Sequence, residues 1–204
     1  MNLLPCTEET LDAAADLLNR GGVAVIPTDT VYGLAAHPAH PAAVERLYSI
    51  KLRDMRKPIA LLAADADAVA AFGAAMPPAA AALAEERWPG ALTLVLPVRQ
   101  QRQDRRSPEG GHAVGEAAIL PLRYEGFRVP DHAWVRRLLA RCGGTLRVTS
   151  ANLSGRHPAT DAPKALADVG LSADLVIDDG ASPGGVPSTV IKVLPDGKLQ
   201  TLRP

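Results

Sequence analysis

The sequence has few aromatic residues, few cysteines and no excess of either charge. Phe, Trp and Tyr make up 3% of a chain that is 47% apolar, so any core is built of Ala, Leu, Val and Ile. Two cysteines, Cys6 and Cys142, are too few for a disulfide scaffold and fit a reducing compartment. Lys plus Arg and Asp plus Glu are equal at 22 each, which argues against a global field that would draw the chain to nucleic acid or a membrane surface. Any anion must be recognised locally. No apolar run approaches the length of a membrane span, and the first residues, MNLLPCTEETLD, lack the basic-then-apolar layout of a signal peptide. A cytoplasmic protein without membrane contact is expected. The phosphate loop G-x-x-x-x-G-K-[ST], the dinucleotide fingerprint G-x-G-x-x-G and the hydrolase elbow G-x-S-x-G are all missing. His37, His40, His112, His132 and His157 have no cysteine or carboxylate companions at ligand spacing, and no metal site is expected.

What is present suits one domain spanning 1–204. Thr7 is placed to cap a helix that carries Glu8 and Glu9 at its positive end, Leu11, Ala14, Leu17 and Leu18 as its apolar stripe, and Gly21-Gly22 as its stop. VAVIP (23–27) reads as a buried strand. Further helices are predicted over 41–51, 66–72, 78–87 and 132–142. Further strands are predicted at 59–64, 91–97, 117–122, 145–150, 175–178, 188–194 and 198–203. Asp196-Gly197 is a hairpin signal between the last two. Residues 98–116 hold four arginines and no sustained period, and are read as a mobile loop. Strands alternating with helices, plus a terminal hairpin, indicate an α/β fold with a twisted mixed sheet and flanking helices.

Three polar runs follow or enter predicted strands: PTDTVYGL (27–34), TSANLSG (149–155) and GGVPSTVI (184–191). Strand ends are where α/β sheets place ligands, although each run alone is equally well read as a capped turn. A fourth run, KLRDMRKP (51–58), is half cationic in a neutral protein. Complementing a helix dipole accounts for one or two of its charges, at about 0.3–1 kcal/mol each. Arg56 and Lys57, continuing into the turn, are better matched to a polyphosphate, for which Arg supplies a planar fork and Lys a point charge.

Together PTDTVYGL, AVERLYSIKLRDMRKPIALL, WPGALTLVLP, FRVPDH, TSANLSG, PSTVI and the terminal LRP resemble the YrdC family of L-threonylcarbamoyladenylate synthases (TsaC-type proteins), in order over residues 20–204. The resemblance implies a large, positively charged concave cavity. It also implies a nucleotidyltransferase that condenses L-threonine, bicarbonate and ATP, with Mg2+ bound to the triphosphate, into threonylcarbamoyl-AMP and pyrophosphate. A downstream threonylcarbamoyl transferase complex would then modify tRNA, with weak or no direct tRNA binding by this chain. By the family pattern Lys51 and Arg53 are the catalytic cations. Lys51, Arg53, Lys57, Asn152, Thr160 and Arg203 face ATP, while Thr30, Arg128, Ser150 and Ser188 surround threonine. Three departures stand out. Tyr124 occupies the place of a Thr, so that Arg123 competes with Arg128, which its VPDH context favours, for the substrate carboxylate; Asp54 replaces a common Pro; and the loop 98–116 is longer and more Arg-rich than usual, as a lid would be. The chain is expected to lack the extra C-terminal domain of longer relatives. A double-stranded RNA-binding module, or a paralogue acting on another carbamoyl compound, are the rival readings.

Overall fold

The computed structural model describes residues 3–99 and 123–204. Its first half runs β1 (Leu3–Pro5), α1 (Glu8–Asn19), β2 (Val23–Ile26), β3 (Gly33–Ala36), α2 (Pro41–Lys51), β4 (Leu61–Ala63), α3 (Ala66–Ala71), α4 (Pro78–Arg87) and β5 (Leu92–Val98). The second half adds β6 (Arg123–Arg128), α5 (Ala133–Arg141), β7 (Thr145–Ser150), α6 (Ala162–Asp168), β8 (Leu175–Asp178), β9 (Thr189–Val193) and β10 (Leu199–Arg203). The strands form one mixed sheet in the order β1-β8-β2-β3-β7-β4-β6-β5-β9-β10. The α/β class with a mixed sheet is therefore as the sequence indicates. Among the described residues no helix is long and apolar enough to cross a membrane.

Helix α1 starts where its sequence says it should. Thr7 caps it, accepting from the Thr10 N–H at 3.2 Å, and Thr10 answers with its own hydroxyl on the Thr7 N–H at 2.9 Å. Its stripe packs with Trp134, Val135, Leu138 and Leu139 of α5 against Ala24, Ile26, Ala35, Leu62, Leu146 and Ile177 of the sheet. Because strand side chains alternate, the neighbours Val23, Val25, Leu34 and Ala36 point the other way, into a core with residues of α2 and α6. Leu61, Ala63, Leu92, Leu94, Leu96 and Phe127 continue that second face beneath residues of α3 and α4.

This distribution positions the site. Cross-strand pairing puts Leu62 beside both Leu146 and Arg128, and Val95 beside Gly126, on the α1–α5 side of the sheet. Helices α1 and α5 cover that side over β2, β3, β7 and β8, while Thr93, Val95, Gly126 and Val190 instead line a cavity. The open part of the sheet is the cavity floor.

Four elements were not expected. β3, of sequence GLAA, has poor strand propensity, and it is a strand because β2 and β7 pair with it on both sides. The added Cβ of any residue at Gly33 would sit 2.5 Å from Val148 Cγ1, so glycine keeps the β3–β7 packing close. β6 (RYEGFR) is likewise enforced by β4 and β5, and β1 is a three-residue edge beside β8. Helix α6 did carry a signal, since the Asp161 side chain accepts from the Lys164 N–H at 2.9 Å and a proline follows in the first turn. The predicted strand 91–97 runs on through Val98, and Arg99 donates to Gly73 O at 3.0 Å. The rest of the loop read over 98–116, and the strand read at 117–122, lie outside the described residues.

One buried hydroxyl ties the turn before β3 to the exit of β8. Tyr32, fully buried, donates to Gly180 O at 2.7 Å and accepts from the Asp179 N–H at 3.0 Å. Replacing it by Phe leaves both backbone groups without a partner, and should lower the unfolding free energy by about 1–3 kcal/mol. A shift of the urea midpoint with an unchanged slope is the expected result; an unmoved midpoint would mean that water replaces the hydroxyl.

Candidate active site

The cavity encloses about 370 Å³, a size suited to a small-molecule substrate. Its floor is built at every second residue: Tyr124, Gly126 and Arg128 of β6, Thr93 and Val95 of β5, Val148 and Ser150 of β7, with Ala60 and Leu62. Gly126 and Ala60 keep the floor low. Its rim comes from the polar runs, through Thr28 and Thr30 after β2, Thr149 and Ser150 at the end of β7, and Pro187 and Ser188 before β9. The charged residues among those lining it are Arg53, Arg128 and Arg203.

Arg128 is 6% exposed and carries most of the geometry. Its Nε donates to Gly90 O at 2.9 Å, one terminal nitrogen donates to Thr30 Oγ1 at 2.6 Å, and the other forms an ion pair with Asp29. Thr30 is oriented in turn by Thr28 Oγ1 at 3.0 Å. A guanidinium has five N–H donors, so two remain without a partner among the described residues. Arg123, the competing arginine, is at the exposed start of β6 with its guanidinium 2.6 Å from Glu125, and it does not line the cavity. Arg203 donates from Nε to Ser188 O at 2.8 Å, and Ser188 Oγ lies 2.8 Å from Thr93 Oγ1. Burial, and then the nearby Arg128 charge, hold the Arg203 guanidinium below its ordinary value.

The cationic run divides in two. Arg53 lines the cavity, with Nε and one terminal nitrogen donating to Lys57 O and Pro58 O at 3.3 and 3.2 Å. Lys51, 1% exposed, is turned under the exit of β7, where its ammonium donates to Ser150 O and Asn152 O. Its own carbonyl accepts from the Ser154 N–H at 2.9 Å. Burial, reinforced by the Arg53 charge, pushes Lys51 down to about 8, with Asp168 opposing. Arg56 is paired with Asp54 at 2.7 Å, so the residue that departs from the family pattern takes up one of the four charges. Lys57 is exposed on the turn.

Asn152 is buried, with Nδ2 donating to Leu153 O and Arg156 O at 2.8 Å each, and it shapes the loop rather than lining the cavity. Thr160 lies in a second, more open cleft with Arg156, His157 and Lys164, and accepts from Lys164 Nζ at 3.0 Å. The segment between β8 and β9 borders both hollows. Gly184 donates to Asp29 O at 3.0 Å, so close that a Cβ there would lie 2.7 Å from the same oxygen, while Ser182 donates to Thr160 O at 2.7 Å. The structure thus brings together Thr30, Arg53, Arg128, Ser150, Ser188 and Arg203 around one cavity, and places Lys51, Lys57, Asn152 and Thr160 beside it. Sequence reasoning gave Asp29 no role beyond local capping, and passed over Thr93, whose hydroxyl inside an apolar strand was the available signal.

Comparison with known proteins places the chain in a family. The model of the Sua5/YciO/YrdC family, described as "Telomere recombination", matches residues 16–204. A threonylcarbamoyl-AMP synthase of Chromohalobacter salexigens is 35% identical over 203 residues, covering 96% of this chain and 99% of that protein. The Bacillus subtilis protein of the same name is 32% identical over 193 residues, covering 95% of this chain; the chain spans about half of it, 53%. A Sua5 of P. abyssi solved in complex with L-threonine superposes with a TM-score of 0.84 at 28% identity, over all of this chain and 57% of that one. The chain belongs to the Sua5/YciO/YrdC family.

Proposed function

We propose that the protein is a threonylcarbamoyl-AMP synthase that condenses L-threonine, bicarbonate and ATP. The observation that carries this reading is the convergence of Thr30, Ser150, Ser188 and an Arg128 guanidinium with two of its five donors to spare on one cavity, in a chain whose relatives bear that name. A guanidinium with two donors to spare and fixed neighbours suits an amino-acid carboxylate. The hydroxyls around it suit the amine and side chain of threonine. That a P. abyssi Sua5 of the same fold was solved with L-threonine supports threonine as a substrate.

In this reading the threonine amine and bicarbonate condense to a carbamate with loss of water. A carbamate oxygen then displaces pyrophosphate from the α-phosphorus of ATP. No side-chain nucleophile is required, and the protein contributes positioning and charge neutralisation. Arg53 and Arg203 face the triphosphate, which arrives with Mg2+ as part of the substrate. Lys51 acts from beneath, holding the Ser150–Asn152 backbone and adding its charge, while Lys57 approaches from the turn. Asn152 and Thr160 direct the nucleoside toward the second cleft. A transferase complex then consumes the product in tRNA modification, and the balanced charge of the chain argues against tight tRNA binding of its own.

Pyrophosphate release by purified protein should require threonine, bicarbonate and Mg-ATP together; release indifferent to threonine would turn the reading toward a paralogue with another substrate. Arg128→Ala should raise the threonine KM roughly 10- to 150-fold, the loss of about 1.5–3 kcal/mol of charge-assisted hydrogen bonding. Arg123→Ala should leave it unchanged, and the reverse result would move the carboxylate site. Lys51 gives a pH test. Its folded value of about 8 lies below the ordinary 10.5, so between these values the unfolded chain holds more protons and stability rises with pH. The difference in unfolding free energy between wild type and Lys51→Met should therefore grow in favour of wild type from about pH 7 to about pH 9.5. A flat difference would mean that burial does not weaken the hold of this amine on its proton.

A further inference from the structure

Cys6, His132 and Asp179 are separated widely in sequence, yet one ligand atom from each lies within 4.8 Å of the other two. Among the described residues this is the one such group of cysteine, histidine and carboxylate side chains. Cys6 follows β1, Asp179 follows the neighbouring strand β8, and His132 precedes α5. None of the three lines the cavity, so the cluster is independent of the reading above. We propose that Cys6, His132 and Asp179 form a binding site for Zn2+ or a similar thiophilic divalent cation.

The donor set decides the class of ion. Sulfur and imidazole nitrogen favour a borderline-soft metal such as Zn2+ over Mg2+ or Ca2+, which take oxygen ligands. A thiolate, a carboxylate and a neutral imidazole together balance the two charges of the cation, the thiol proton leaving to solvent on binding. Three protein ligands leave one position of a tetrahedron for water. Ligand bonds of about 2.0–2.3 Å need the donor atoms roughly 3.3–3.8 Å apart, so the cluster needs only side-chain adjustment to close on an ion. His132 Nε2 is already 3.2 Å from Asp179 Oδ2.

The surroundings fit as well. Tyr32 holds the Asp179 N–H and Gly180 O, which fixes the backbone under the carboxylate. The preceding Asp178 is occupied elsewhere, accepting from the Gly180 N–H at 2.9 Å and facing the Tyr32 hydroxyl. The Asp179 side chain is 49% exposed and gives an ion a path in, whereas the imidazole of His132 is largely enclosed. An ion here would join β1, β8 and the segment that leads from Arg128 into α5.

The test uses the reduced, tag-free full-length chain titrated with Zn2+ alone and, separately, with Co2+ as a spectroscopic probe, with Mg2+ as control. One ion per chain is expected, with a thiolate-to-cobalt absorption band that Cys6→Ser abolishes and Cys142→Ser leaves intact. His132→Gln and Asp179→Asn should each weaken Zn2+ binding at least as much as the roughly 10- to 100-fold typical of losing an outer-shell partner. Binding no stronger than that of Mg2+, or a cobalt band that survives Cys6→Ser, would overturn the site. Should Cys6→Ser fail to fold, unchanged Zn2+ affinity in folded His132→Gln would overturn it equally.

Discussion

Arg128 is a full positive charge placed almost out of reach of water, and a charge so placed must be paired or the chain will not fold around it. Its three partners come from two distant parts of the sequence: Asp29 and Thr30 from the turn after β2, and Gly90 from the turn before β5. Removing one member of such a buried pair generally costs about 3–5 kcal/mol, because the survivor is left uncompensated. The cavity therefore cannot vary its rim freely. The guanidinium that lines the cavity is also the post to which the turns after β2 and before β5 are tied.

Lys51 makes the complementary case. It is equally dry, but its partners are carbonyl oxygens rather than a carboxylate, so its charge is solvated without being cancelled. That difference explains why burial depresses it to about 8, and it leaves a positive centre directly beneath the exit of β7. Arg56, by contrast, spends its charge on Asp54 at the surface. Of four cations in one eight-residue run, the fold thus uses each differently: one under the loop, one in the cavity wall, one neutralised and one left on the exposed turn. An empty space exists beside them because α1 and α5 cover only part of their side of the sheet, and because small residues, Ala60 and Gly126, form the uncovered floor.

Much of this was legible in advance wherever the signal is local. The Thr7 cap, the Asp196-Gly197 hairpin and the buried strand after Gly22 depend on neighbours within a few residues, and they stand where the sequence puts them. The polar runs at strand ends do form a rim, as expected. The β6 part of the floor was not foreseen, since RYEGFR, like GLAA of β3, becomes a strand through partners on either side rather than through propensity. Without those strands the alternation that aims Tyr124, Gly126 and Arg128 at one face has no meaning. His132 shows the same limit. Along the chain it has no cysteine or carboxylate at ligand spacing, and only the parallel neighbours β1 and β8 bring Cys6 and Asp179 to it.

The sequence by itself determined the fold class, the order of most elements, the family resemblance and the polar segments that border the cavity. All of these follow from periodicity, capping and motif order, which act over short stretches of chain. Only the tertiary structure decided which of the candidate cations reach the cavity, that Arg123 is turned away from it as the VPDH context of Arg128 suggests, and that Lys51 lies beneath a loop instead of in the wall. Those outcomes turn on which face of a strand a residue occupies and on which buried groups compete for its charge, and both are set by residues far away in the chain.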